Sequence, residues 1–335
     1  MNKFQSLLLP LAFLGMVPCL KAQQPLSLDE AVRIALQRSL SLQIQRNDVA
    51  AAQLLNDYGV AGGLPTVTAT ANDQAQVTNI YQKLATGTEI QRNGALGNNL
   101  TAAVAGSMVL YNGMRISATK DRLEQLERMN QQELSAQILD LTAAVTTQYY
   151  DVRRQQAYLK TLQGSLTVAT QNREIVQARQ AAGLANDADL FQAKLDENSL
   201  KQQILSQELA ITQAKADLLD LMDEQPGKDV ALSDSIVVNS NLNWDELLAG
   251  TRQHPRVAAA TSQIQIQTLI ERETSSQRLP TLRANAGLTF GNSVSNGGFN
   301  LVSRTYGPYA GLNLSIPIYN GGAVKRQEEV AALTT

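Results

Sequence analysis

Apolar residues from Leu134 onward recur in alternating steps of four and three. The series runs Leu134, Ile138, Leu141, Val145, Val152, Leu159, Leu162, Leu166, Ala169, Val176, with misses at Gln148, Gln155 and Arg173. It resumes with Leu190, Ala193, Leu200, Ile204, Ile211, Ala214, Leu218, Leu221 and misses at Glu197 and Gln207. A 3.5-residue repeat marks helices packed side by side over a long distance. Between the two series lies Ala182-Gly183-Leu184-Ala185-Asn186-Asp187, where Gly183 can stop one helix and Asn186 or Asp187 can cap the next. The pattern predicts helices over 114–182 and 187–222, the first rising roughly 100 Å.

Elsewhere the period changes to two. Val67, Ala69 and Ala71 alternate with Thr66, Thr68, Thr70 and Asn72, and 101–111 alternates likewise, predicting strands over 65–74 and 100–111 with a loop between. Ser27 to Glu30 is a capping box that opens a helix over 28–63. The order then repeats. Asn243-Trp244-Asp245-Glu246 matches Ser27-Leu28-Asp29-Glu30, Leu279-Pro280 matches Leu64-Pro65, and Tyr319-Asn320-Gly321 matches Tyr111-Asn112-Gly113. The first repeat is 23–222. A linker over 223–242 carries one short strand around Ile236-Val237-Val238. The second repeat, 243–335, is predicted to hold helix 244–278, strands 281–291 and 306–319, and the start of a helix at 322–335. By analogy with the first copy, a hairpin of about a hundred residues would follow, so the chain reads as a fragment or a degenerate copy.

Composition narrows the class. A net charge of −2 offers no basic footprint for nucleic acid. Aromatics make up only 4% of the chain, which suits narrow helical seams better than a large globular core. Residues 1–22 read as an export signal, with Lys3, an apolar centre and a cleavage site after Ala22; Cys19 is a weaker candidate for lipidation. No other stretch is apolar enough for a membrane-crossing helix. The four alternating strands suit a transmembrane barrel, lipid outside and water inside, or else half of a soluble sandwich; four cannot close a barrel. Tyr111, Tyr306, Tyr309 and Tyr319 flank them, where an interfacial aromatic girdle would lie.

The single histidine, His254, stands before Pro255 with no metal-ligand partner in the pattern, and no nucleophile–base pair, phosphate loop or metal cluster appears. The expectation is a protein that is not an enzyme and takes no cofactor or metal.

These features together resemble the TolC-like outer-membrane efflux proteins. The resemblance rests on the duplicated helix–strand–loop–strand–helix order, Leu64-Pro65 and Leu279-Pro280 before strands, and Ile316-Pro317-Ile318-Tyr319-Asn320-Gly321-Gly322. Ala178-Arg179, Gly183-Leu184-Ala185 and Leu190 at the turn complete it. It implies a mainly α fold with β: long antiparallel α-helical hairpins forming a tunnel wall, plus four strands contributed to a 12-stranded barrel by a homotrimer. It further implies an outer-membrane conduit with its helical part in the periplasm. Such conduits take cargo from an inner-membrane RND or ABC transporter through a periplasmic adaptor (membrane fusion protein), in efflux or type I secretion. Carried over by position, Arg179, Gly183, Leu184 and Ala185 are docking residues at the hairpin tip. Asp187 and Asp189 either ring the tunnel mouth or, more simply, complement the positive helix N-terminus. Arg283, Asn285, Asn313 and Ser315 line the barrel lumen or, alternatively, a solvated sheet face. Two departures stand out: Ser39-Leu40 replaces the family's Asn-Pro, and the second hairpin, with its gate residues, is missing. A soluble periplasmic coiled-coil scaffold and a non-functional channel fragment are the competing readings.

Overall fold

A computed structural model describes residues 25–225, 227–236, 243–297 and 300–334. The predicted signal and Cys19 lie outside these residues. The elements are α1 (Leu28–Arg38), α2 (Leu40–Leu55), β1 (Thr66–Lys83), β2 (Glu89–Tyr111), α3 (Arg115–Ala181), α4 (Asp187–Leu221), α5 (Trp244–Arg252), α6 (Pro255–Ser275), β3 (Thr281–Ser295), β4 (Val302–Ser315) and α7 (Ala323–Thr334). The chain is mostly helical, and its strands form one antiparallel sheet in the order β1-β2-β3-β4. The described residues up to Ser39 with those of 140–236 make one compact unit, and those of 40–139 with 243–334 another.

In the first unit the distal part of α3 packs against α4. Val145, Val152, Leu162, Ala193, Ile211, Ala214 and Leu218 are buried along the seam. The polar interruptions of the repeat are paired across it. Gln207 Nε2 donates to the Gln155 carbonyl (3.1 Å) and to Gln155 Oε1 (2.6 Å). Gln148 Nε2 donates to the Ala214 carbonyl at 3.0 Å. Arg173 Nε lies 2.7 Å from Glu197 Oε2, a contact that is coulombic because the N–H is not aimed at the oxygen. Lys201 binds the other Glu197 oxygen at 2.8 Å. That hydrogen bond, then the charges of Lys201 and Arg173, hold the Glu197 carboxyl below its ordinary range despite partial desolvation. Polar pairs inside an apolar seam fix its register. Gln207→Ala is therefore expected to cost about 1–3 kcal/mol, and Gln155→Leu with Gln207→Leu to recover most of it, because no buried polar group is then left without a partner. A double-mutant cycle by thermal unfolding checks this, and additive single effects would refute the pairing.

The same unit holds α1. Ser27 caps it, its hydroxyl accepting from Glu30 N at 3.2 Å. Ala31 and Ala35 are fully buried in a cluster with Tyr149, Leu218, Leu219, Met222, Val230 and Leu232. The segment predicted as a linker takes part in this core. Leu26 bridges Leu232 in parallel, with Leu26 N donating to Ala231 O at 2.8 Å. The short strand expected at 236–238 is not the pairing used: Ile236 is exposed and unpaired in strand, and Val237 and Val238 lie outside the described residues.

Several expected boundaries are corrected. The helix predicted over 28–63 breaks at Ser39, whose backbone is extended (ψ 118°), where the chain passes from one unit to the other. Its second part ends at Leu55. There Asn56 is held by Glu127 and Lys120, and Asp57 Oδ1 accepts from Gly59 N to close a turn. The helix predicted over 244–278 likewise breaks before Pro255. His254, extended as a residue before proline must be, caps α6 by accepting from Arg256 N at 3.2 Å. The loop predicted between the first two strands is mostly sheet: β1 and β2 extend to a short turn, where Leu84 N donates to Thr88 O and Lys83 pairs with Glu89 at 2.6 Å. β3 also runs longer, to Ser295, while β4 starts at Val302 and stops at Ser315. Pro317 lacks the N–H that further pairing would need.

Candidate membrane face and hairpin tip

The strand register settles which side chains share a face. On one face the rows read Leu282–Leu314, Met108–Ala284–Leu312, Val67–Gly106–Ala286–Ala310, Ala69–Val104–Leu288–Pro308 and Ala71–Ala102–Phe290–Tyr306. None of these side chains is charged. The next row, Asp73–Leu100–Asn292–Arg304, brings in charge, with Arg304 Nε donating to Asn292 Oδ1 at 2.9 Å. From Leu282 to Phe290 the apolar band spans ~27 Å of strand, or ~21 Å of height at a tilt near 40°. Its side chains are open to the surroundings: Leu288 is 61% exposed and Leu312 70%. Soluble monomers rarely expose contiguous apolar surface of this kind. Tyr111, paired with Leu282, and Tyr306, paired with Phe290, stand on this face at its opposite ends.

The other face is small and polar. Its rows include Thr66–Ser107–Asn285–Gly311, Thr70–Ala103–Thr289–Gly307 and Asn72–Thr101–Gly291–Thr305. All four residues singled out for the lumen lie here: Arg283 pairs with Asn313 and Val109, Asn285 with Ser107 and Gly311, and Ser315 with Thr281. Tyr309 belongs to this face too, which removes it from the expected girdle. It sits opposite Gly287, where an added Cβ would come within 2.9 Å of its ring and collide with the Val104 carbonyl. Only glycine leaves the aromatic ring that space.

The residues assigned to docking come together in the α3–α4 turn. Leu184 N donates to Arg179 O (2.8 Å) and Gly183 N to Gln180 O (2.9 Å), with Gly183 at φ +73°. This is a Schellman ending, and it needs the left-handed residue that Gly183 supplies. Arg179, Gly183 and Leu184 are exposed, Ala185 half-buried. Asp189 and Asn186 form a reciprocal capping box at the start of α4, and Asp187 accepts from Gln180 Nε2. Both carboxylates therefore have local partners at the helix N-terminus.

A sequence profile of outer membrane efflux proteins matches residues 31–223, more than half of the chain. The chain belongs to this family. Family membership fits the two-faced sheet and the long hairpin. No curated protein sequence matches the chain. The fold is similar to that of the outer-membrane channel OprN, with a TM-score of 0.74 and 18% identity over 91% of this chain and 67% of that one. It is also similar to the CmeC outer membrane channel of Campylobacter jejuni, with a TM-score of 0.74 and 16% identity over 92% of this chain and 65% of that one. For the outer membrane protein VceC of Vibrio cholerae the TM-score is 0.70, at 17% identity over 92% and 72%. The chain thus spans about two thirds of these proteins. No helix among the described residues is long and apolar enough to cross a membrane.

The register adds what alternation alone left open. Period two told the two faces apart within each strand, and pairing shows that all four apolar faces coincide. Tyr149 and Asp234, which anchor α1, belong to no motif of the sequence. Tyr149 stands four residues after Val145 and three before Val152, one place off the alternating series, which falls on Gln148.

Proposed function

We propose that this protein is the wall element of a trimeric outer-membrane conduit, lying in the outer membrane with its helical part in the periplasm. Three copies would bring their four-stranded sheets into one closed 12-stranded barrel, since a single sheet leaves β1 and β4 as open edges and four strands are too few to close. The single observation that carries this reading is the uncharged band from Leu282–Leu314 to Ala71–Ala102–Phe290–Tyr306, bounded by Tyr residues and backed by a polar face. Its height is close to that of the hydrocarbon band of barrel proteins, ~25 Å. The conduit would be passive and receive small molecules or proteins from an inner-membrane RND or ABC transporter. The periplasmic adaptor would dock on the exposed tip at Arg179, Gly183, Leu184 and Ala185. Membership of the efflux family supports export as the task. No enzymatic step enters this reading.

A soluble coiled-coil scaffold would explain the hairpin but not the coincident apolar faces of four strands. Purification and planar-bilayer recording of the full chain separate the two. The conduit reading expects detergent-dependent extraction as a trimer and stepwise conductance. A protein soluble without detergent, or assembled trimers with no conductance, would overturn it.

A further inference from the structure

The polar face of the sheet is almost free of charge. Its rows run from Thr281–Ser315, through Val109–Arg283–Asn313, Thr66–Ser107–Asn285–Gly311, Thr68–Ala105–Gly287–Tyr309, Thr70–Ala103–Thr289–Gly307 and Asn72–Thr101–Gly291–Thr305, to Gln74–Asn99–Ser293–Ser303. Along this whole set Arg283 is the one ionised side chain. It is exposed, its cross-strand neighbours Val109 and Asn313 are neutral, and no ion pair holds it among the described residues. It lies two residues inside β3, at the end of the sheet where β2 turns through Tyr111-Asn112-Gly113 into α3. Among the described residues no aromatic ring covers it either.

We propose that Arg283 gives the strand-lined part of the conduit a preference for anionic solutes, those bearing carboxylate, phosphate or sulfate groups. The inference rests on the conduit reading above. In a threefold barrel the three Arg283 guanidiniums form a ring on an otherwise neutral, Thr/Ser/Asn/Gly-lined wall. Rings of Arg or Lys are how pores favour anions. Guanidinium is also suited to the anion, because its planar fork can bind an oxyanion with two parallel hydrogen bonds and it stays charged at any working pH. Because the other side chains of these rows are neutral, nothing in them offsets the ring.

The test is the reversal potential of the full chain in planar bilayers under a KCl gradient, comparing wild type with Arg283→Lys, Arg283→Gln and Arg283→Glu. At ~0.1 M salt, where the Debye length is ~10 Å, the chloride-over-potassium permeability ratio is expected to fall at least ~2-fold in Arg283→Gln and further in Arg283→Glu. Arg283→Lys should keep the wild-type ratio. At ~1 M salt, with a Debye length of ~3 Å, the four should converge. Conducting channels whose ratio is the same in wild type and Arg283→Glu would overturn the proposal while leaving the conduit intact. Absence of conductance in wild type would remove both readings, and so is told apart from the first failure.

Discussion

Leu288→Arg will keep this protein out of the membrane, and Thr289→Arg, one residue along the same strand, will not. Leu288 sits in the row Ala69–Val104–Leu288–Pro308, well inside the uncharged band. An arginine facing lipid near the midplane of a barrel costs ~2–4 kcal/mol, and in a threefold assembly that cost falls on every copy. Thr289 lies on the opposite face, where its hydroxyl reaches the Gly307 carbonyl at 3.5 Å and Gly307 leaves open space beside it. A cation there remains in water. The two substitutions change the same charge on the same strand, so a general loss of folding would hit both. Recovery of trimers from the outer-membrane fraction is the measurement. Leu288→Arg should yield far less than wild type and Thr289→Arg a similar amount. Equal recovery of the two variants would show that this face does not meet lipid.

The contrast depends on a property that was readable residue by residue but not across strands. Alternation at Val67, Ala69 and Ala71 names a face of β1, and the same holds for Leu282, Ala284 and Ala286 on β3. Whether those faces coincide is decided by register, which slips the whole apolar set to the other side with a one-residue change. The hairpin was more legible, because a 3.5-residue repeat specifies both a helix and the partner it packs on. Gly183 and Asn186 signalled the stop and the start by local backbone chemistry, and the structure uses both. What composition concealed was the length of β1 and β2. Residues past Asn72 are polar and rich in Asn and Gly, which ordinarily signals a loop. Yet a sheet that continues beyond an apolar band has no reason to remain apolar, and a bulge between Thr78 and Ile80, with Gly94 at φ +71°, lets it run on. The break at Ser39 was hidden for a different reason. In the second repeat Pro255 enforces the corresponding break, whereas at Ser39 no local residue forbids a continuous helix, and the packing of Ala31 and Ala35 decides it. The polar residues of the seam appeared as defects in a pattern, because their partners stand about 24–66 positions away and only the folded hairpin brings them together.

Tyr149→Ala is expected to be the most damaging single truncation in the helical unit, at about 3–5 kcal/mol, the usual cost of removing a fully buried aromatic ring. Tyr149 is completely buried at the centre of the cluster that holds α1 to the α3–α4 pair. Its hydroxyl donates to the Leu26 carbonyl at 2.8 Å and lies 3.3 Å from Asp234 Oδ2. Asp234 in turn accepts from Leu28 N at 2.7 Å, closing the first turn of α1, and Arg153 Nε binds the Asp234 carbonyl at 2.7 Å. Tyr149→Phe keeps the ring and loses the hydroxyl, so it should cost only about 1 kcal/mol. Thermal unfolding read by circular dichroism ranks the two, and similar losses would mean that packing of the ring is not what holds α1. Asp234 adds a pH signature. The Leu28 N–H, then Ser233, Tyr149 and the charge of Arg153, hold its carboxyl below the ordinary range against partial desolvation. A depressed folded value means that its stabilisation is complete above the unfolded value near 4 and is lost as pH falls through the folded one. Asp234→Asn should therefore be less stable than wild type at neutral pH, show a shallower decline below about pH 4, and meet the wild-type curve in stronger acid. If the two curves ran parallel through that range, Asp234 would not be the group that pins the first helix.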